Sequence, residues 1–364
     1  MIRGRLVLEP RADPGAGWRI AVSGASCLLA LLLGAALLAL SGVHPGLAYT
    51  AMLRASLTGG VYALSDTAVK ATPLVLCGLG CALAFRARLW NVGAEGQLLL
   101  GAWAAAAVGS VWLPPETPRA LLLLLMLVAA MTAGGAYAAL AGWLRTRYQV
   151  SEILSTLMLV YVATHWNNFW IYGPWSAGGF PLTPLFPASS RLPRLTELAS
   201  STPGLAGITL HAGCVLAPAL AVLMWWWLRR SRFGLTLEVV GASPDVARSS
   251  GFAVGRHVVI VLALSGALAG LAGMVEVSGV VFRLQERFSP GYGFTAIIVA
   301  WLARLHPVGV VLVGTLLAAL LVGSREVQPA GIATMLQGLL LFVVVGADLL
   351  THHRLRWRRE IAHA

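Results

Sequence analysis

Ionisable and amide side chains are scarce in this chain, and the few inside apolar stretches bound its chemistry. Asp66 and Lys70 stand four residues apart, where two side chains meet on one helix face, and predict an ion pair. Asn91, Glu95 and Gln97 occupy a glycine-punctuated approach to an apolar run. Backbone groups freed by such an irregular start can line a cavity, so capping and pathway roles are both open to them. Glu152, Ser155 and Thr156 begin another apolar run, as caps or as contacts to a path, and Glu276, Ser278, Ser289 and Tyr292 mark a third such place. A polar group among lipid tails faces a bundle interior or a water-filled passage. The candidate pathway residues are therefore Asn91, Glu95, Gln97, Glu152, Thr156, Ser289 and Tyr292.

Other chemistries are excluded. His44, His165, His211 and His306 are scattered, no HExxH or GxSxG occurs, and neither a metal site nor a catalytic residue is expected. A phosphate loop needs a lysine after glycine. The single lysine, Lys70, follows Val69, so any ATP must be hydrolysed by another subunit and no cofactor is expected on this chain. Cys27, Cys77, Cys81 and Cys214 lie within apolar runs and are expected to pack there.

The elements that must position these residues follow from composition. With 58% hydrophobic and 11% charged residues, the chain's solvent is mostly lipid. The expected fold is an all-α polytopic membrane protein with about ten spans, near residues 20–40, 65–85, 93–113, 120–144, 150–172, 208–228, 257–277, 293–303, 308–322 and 332–350. The first remains as an anchor, since no cleavage pattern follows it. The run 293–303 is about 17 Å long against a core of about 30 Å, so it is extended by 287–292 or broken inside the protein. Most of the net charge of +12 is arginine beside the runs, which reports topology rather than nucleic acid. It places both termini in the cytosol: a cytoplasmic segment 1–19, a membrane domain 20–350 and a basic tail 351–364. A proline-, serine- and glycine-rich stretch, 173–207, reads as an external loop, with Trp166, Trp170 and Trp175 as an interfacial belt.

One polar island, Glu238 to Gly251 within a cytoplasmic segment 233–256, is punctuated as a short helix. Ser243 suits the N-cap, Pro244 the first helical position, Asp245 the positive amino end, Arg248 the last turn and Gly251 a left-handed terminus, which predicts a helix over 244–250. So short a helix needs something to dock against. Similarity between Phe85-Arg86 with Gly93-Ala94-Glu95-Gly96 and Phe282-Arg283 with Gly291-Tyr292-Gly293-Phe294, about 197 residues apart and each before three spans, is compatible with an inverted repeat or with chance in so biased a composition.

The stretch from Phe85 to Gln97 is similar to the FNIGAEGQ segment of permease subunits of bacterial ATP-binding cassette (ABC) importers of the nucleoside type, in a branch that includes ribose permeases. Residues 152–161, the island continuing into 265–273, and Phe288-Ser289-Pro290-Gly291-Tyr292-Gly293-Phe294 resemble the same family. Trp90 and Val160 depart from its pattern, and the first 60 residues and 173–203 match nothing in it. The resemblance implies an ABC importer permease fold in a bacterial plasma membrane. It also implies a cytosolic ATPase, a second and different permease chain, an external substrate-binding protein and a nucleoside as cargo, with a simple sugar as the runner-up. It makes the island a coupling helix, with Glu238, Gly241, Ala242, Ser243, Pro244, Asp245, Arg248 and Gly251 facing the ATPase. An ion-driven secondary transporter would instead need a deep carboxylate, for which Glu276 and Asp348 are the candidates.

Overall fold

Long apolar runs in lipid must satisfy their backbone hydrogen bonds locally, which leaves helices as the form available to them. The computed structural model describes residues 3–10, 15–114, 116–199, 205–327, 331, 335–339, 342–343, 346–347 and 353–360. They form β1 (Arg3–Pro10), α1 (Ala16–Leu40), α2 (Pro45–Leu53), α3 (Val61–Arg86), α4 (Ala94–Ala106), α5 (Arg119–Tyr148), α6 (Glu152–Tyr172), α7 (Gly213–Arg230), α8 (Arg232–Ala242), α9 (Pro244–Ser249), α10 (Val254–Glu276), α11 (Tyr292–Leu302), α12 (Pro307–Gly323) and β2 (His353–Glu360). π-helical turns extend α4 over Ala107–Trp112 and α10 over Val277–Val281. Among the described residues four helices are long and apolar enough to cross a membrane: Val61–Arg86, Arg119–Tyr148, Val254–Val281 and Pro307–Glu326. A fifth is added if the bent pair Gly24–Leu40 and Pro45–Thr58 is one span. Asp348 and about half of the expected span 332–350 lie outside the described residues; the described stretches 335–339, 342–343 and 346–347 within it are helical.

The chain divides into two units, residues 1–53 with 323–364 and residues 54–322. In the first, β1 and β2 pair antiparallel, Arg3 opposite Glu360 and Pro10 opposite His353. Every other described element is helical, as expected, and the two terminal segments, assigned as separate tails, form one ribbon. Alternating charged and apolar residues in both (Arg3 to Glu9, His353 to Glu360) have the period of a strand.

In the second unit α10 is central, packed on α3, α4 and α5, while α11 packs on α3 and α6 on α4. Small residues allow this. A Cβ on Gly101 would stand 2.3 Å from the Cα of Gly270, so α4 and α10 meet backbone to backbone, as small residues permit in membrane helices. α11 has only 11 residues, about half of a hydrocarbon core, which answers the question left by the run 293–303: it is a short helix, beginning at Tyr292 and ending in a tight turn.

The helix over the sixth expected span, α7, opens at Gly213 rather than near residue 208, so the loop after α6 runs to residue 212. It does not lie apart from the bundle. It is bonded to residues 278–286, with Thr183 N donating to Leu284 O at 2.8 Å, Phe186 N to Phe282 O at 2.8 Å and Leu192 N to Ser278 O at 3.0 Å. Arg194 stacks 4.1 Å over the Phe282 ring and donates to Gly279 O. Trp166, Trp170 and Trp175 do cluster, joined by Trp103 of α4, with Trp175 buried.

Candidate functional site

The residues expected to line a passage are mostly spent on internal bonds. Asn91 and Gln97 pair reciprocally through their side-chain amides, each bond 2.8 Å, and Asn91 Nδ2 also donates to Ser265 Oγ of α10 at 2.8 Å. Asn91 Oδ1 accepts from Gly93 N. Both amides are fully buried, so this closed network joins the start of α4 to α10 and offers no free polar group to a solute. Ser265 had no assigned role in the sequence; its spacing within an apolar run carries no signal of the pairing.

Glu95 reaches across to α11, where its Oε2 accepts from Gly293 N at 2.7 Å. Ser289 Oγ accepts from Gly291 N and Tyr292 N at 3.2 and 3.3 Å, so two side chains satisfy the free amides at the α11 amino end. The approach is tight: a Cβ on Gly293 would stand 2.1 Å from Glu95 N. The two stretches that resemble one another in sequence thus meet where α4 and α11 begin.

Glu152 makes an ion pair with Arg145, and its Oε1 accepts from Trp90 N at 3.2 Å, tying the α5–α6 corner to the loop before α4. The Thr156 hydroxyl donates to its own helix at Glu152 O, and a Cβ on Gly93 would strike Thr156. Asn91, Glu95, Gln97, Ser289 and Tyr292 therefore gather at the α4 and α11 starts, and Glu152 and Thr156 buttress the chain entering α4.

The expected Asp66–Lys70 pair is replaced. Lys70 Nζ bonds Glu276 Oε1 of α10 at 2.8 Å, while Asp66 accepts from Thr209 Oγ1 at 2.8 Å. Four-residue spacing is met equally by two side chains that each turn to a neighbouring element, and only the packing of α3 on α10 decides. Tyr292, fully buried, has its hydroxyl 3.4 Å from the same Glu276 oxygen and its ring centroid 5.7 Å from Lys70 Nζ.

The island forms as its caps predict, with one residue fewer. Ser243 Oγ accepts from Val246 N, Pro244 opens α9, and Gly251 takes a left-handed φ of 83°. Phe252 N donates to Ala247 O and Gly251 N to Arg248 O, the paired bonds of a Schellman terminus. Asp245 and Arg248 pair with each other on the surface. Ala247 alone of α9 is buried; Val246 of α9 and Leu235 of α8 are exposed apolar groups. Glu238 and Ala242 are exposed. Gly241 is not available to a partner: a Cβ there would stand 2.1 Å from Arg86 O, so α8 is seated on the end of α3. Arg86 Nε in turn donates to Leu305 O at 3.0 Å, in the turn between α11 and α12 where Arg304 and Leu305 both have positive φ. Sequence spacing did not foretell this seat, since glycine in a helix interior is read first as a lapse in propensity.

A sequence profile described as branched-chain amino acid transport system / permease component matches residues 63–345. The chain is similar to a glucose ABC transporter permease protein of Haloferax volcanii, 35% identical over 96% of this chain and 93% of that one. It is also similar to two guanosine ABC transporter permease proteins of Bacillus subtilis. One is 32% identical over 87% of this chain and 89% of its own length, the other 28% over 67% and 75%. No solved structure matches.

Proposed function

We infer that this chain, which belongs to the family of branched-chain amino acid transport system permease components and is a non-catalytic, multi-pass membrane permease subunit of an ABC importer, carries a nucleoside. A cytosolic ATPase supplies ATP hydrolysis and an external binding protein delivers the solute. The chain spans a bacterial plasma membrane about ten times, with both termini in the cytosol. The terminal ribbon supports an even number of crossings, because paired ends share a side. The head-to-head start of α4 and α11, with α3 on α11 and α10 on α4, supports an inverted repeat whose halves enter from opposite faces. That Bacillus subtilis has two guanosine permease proteins, one matching this chain over much more of its length, supports a second permease chain of a different sequence.

The observation that carries the coupling role is α9: a six-residue helix capped at both ends, charged and exposed outside, held by one buried alanine and joined to α8, which sits on α3. So short a helix with so little buried of its own is held by its neighbours and fits a groove on another protein. Closing of the ATPase would move α9 and α8 together, and Arg86 would pass that movement to the turn after α11. Glu238, Ala242, Ser243, Pro244, Asp245, Arg248 and Gly251 form the contact, and Gly241 seats it. Asn91, Glu95, Gln97, Glu152, Thr156, Ser289 and Tyr292 act by shaping the pathway.

The test is uptake by the complex in vesicles, with ATP, the ATPase and the binding protein present and guanosine as solute. Accumulation that stops on removing ATP is expected; accumulation without the ATPase defeats the reading. A second reading, a simple sugar, is favoured by the 35% identity to a glucose permease protein, and glucose in the same assay decides it.

A further inference from the structure

Four helix ends meet at one corner of the bundle. α5 ends at Tyr148 and α10 begins at Val254, and the two run antiparallel: a Cβ on Gly142 would stand 3.0 Å from Val259 Cα, and one on Gly255 3.7 Å from Thr146 Cγ2. Phe233, in the first turn of α8, stacks on Trp227 of α7 with ring centroids 4.7 Å apart and on His257 of α10 at 6.3 Å. The turn from α7 into α8 is tight, since Ser231 Oγ accepts from Gly234 N and a Cβ on Gly234 would strike Leu228 O. Arg147, Arg230, Arg232 and Arg256 each stand within three residues of these contacts, and all four are exposed.

The carboxylates nearest in sequence are engaged elsewhere. Glu152 pairs with Arg145 and Asp245 with Arg248, while Glu238 lies beside Arg86. Among the described residues the four arginines have no carboxylate partner. The corner is therefore of a single sign, unlike α9, which carries one charge of each kind.

Its depth is marked by aromatic rings. α5 is long and apolar enough to cross a membrane, so its last turn lies where hydrocarbon gives way to headgroups. Trp143 and Arg147 are four residues apart, as are Trp226 and Arg230, so on each helix an arginine stands one turn beyond an exposed tryptophan on the same face. Exposed Tyr148 packs edge-on to Trp143 at 5.3 Å, and the Arg147 guanidinium lies 5.9 Å from the Tyr148 ring. Indole and phenol rings settle at the hydrocarbon boundary, and a guanidinium fork just outside it matches the oxygens of a phosphate. A soluble protein would meet the arginines but not the tryptophans below them. A phospholipid meets both, with its phosphate in one layer and its chains in the other.

We propose that the corner formed by the end of α5, the α7–α8 turn and the start of α10 is a site for an anionic phospholipid, its headgroup phosphate held among Arg147, Arg230, Arg232 and Arg256 and its chains beside Trp143. The inference goes beyond the permease reading and holds whichever solute is carried. Its consequence for that reading is mechanical: the headgroup ties the start of α8, on which α9 is mounted, to the membrane surface.

The experiment uses the assembled complex in mild detergent, offered phosphatidylglycerol and phosphatidylcholine with the same chains, and counts the retained lipid by native mass spectrometry. Preferential retention of phosphatidylglycerol is expected. Arg147→Gln, Arg230→Gln, Arg232→Gln and Arg256→Gln together are expected to weaken that retention at least about 20-fold, whereas Arg287→Gln beyond the far end of α10 leaves it unchanged. Millimolar inorganic phosphate is expected not to displace the lipid, because it has no chains to place beside the tryptophans. Equal retention of the two lipids by the wild-type complex overturns the proposal without recourse to any variant. So does undiminished retention in the fourfold variant, with loss of the ATPase from that variant marking the corner as a protein contact instead. Release of the lipid by inorganic phosphate overturns it too, in favour of a free anion. The readout requires no transport, so a failure of the cargo reading leaves it untouched and its own failure is seen separately.

Discussion

The signature segment before α4 and the island at α9 are the two most recognisable stretches of this sequence, and they use polar residues in opposite ways. Around Asn91 and Gln97 each amide group turns inward: to its partner amide, to Ser265, to Gly93 N. At α9 the caps bond to their own helix, and Asp245 and Arg248 stay in solvent with only each other. The contrast teaches that identifiable motifs in one chain can be kept for different reasons. A buried polar group without its partner costs the whole of its lost hydration, so the first region must be closed to exist at all. An exposed one is worth little to stability, so the second is free to serve another protein.

That difference breaks down if either region responds like the other. Ordered by effect on the fold, the largest belongs to Gly293→Val, which drives a side chain into the Glu95 backbone; a loss above about 3 kcal/mol is expected, seen as little recoverable protein in detergent and an early thermal transition. Asn91→Leu should cost about 2–4 kcal/mol, since it orphans Gln97 and Ser265 together. Adding Gln97→Leu should then cost less than the sum of the two single changes, the mark of one coupled network. Ser243→Ala removes a cap worth about 1 kcal/mol and should raise amide exchange over residues 244–250 while leaving α3 and α10 unaltered. Asp245→Arg with Arg248→Glu reverses an exposed pair and should shift thermal stability by less than about 0.5 kcal/mol, yet reduce ATP-driven uptake at least about 10-fold. Wild-type uptake there would make α9 an ordinary surface turn.

The smallest effect lies in the long loop. Hydrogen bonds from Arg119 hold the Glu197 carboxyl below the usual carboxylate range. A depressed pKa means that the stabilisation is complete above the unfolded carboxylate value of about 4.3 and is lost as pH falls through the folded value. Both groups are well exposed, so solvent screening leaves a slight loosening of residues 191–198, detectable as faster proteolysis below about pH 4 and abolished in advance by Glu197→Gln.

Much of this architecture is legible in the residues. The caps of α9 follow from Ser243, Pro244 and Gly251 because capping is local chemistry, settled within five or six residues. Apolar length finds α3, α5, α10 and α12 for the same reason. Long-range choices are not local. Lys70 satisfies the spacing rule with Asp66 and the packing rule with Glu276, and only the approach of α3 to α10 decides between them. Gly241 and Gly293 look like simple breaks in helix propensity, although they are the points where α8 meets α3 and α11 meets α4. The terminal ribbon escaped because its halves lie at opposite ends of the sequence, each too short to be stable alone.

The most direct test of the central claim, that an engine on another chain turns this one through α9, is solute accumulation by purified protein in sealed vesicles, with and without the ATPase. The account predicts uptake when ATPase, ATP and binding protein are all present, and none from this chain alone under any ion gradient. Accumulation by the isolated chain, driven by a gradient and indifferent to ATP, would contradict it.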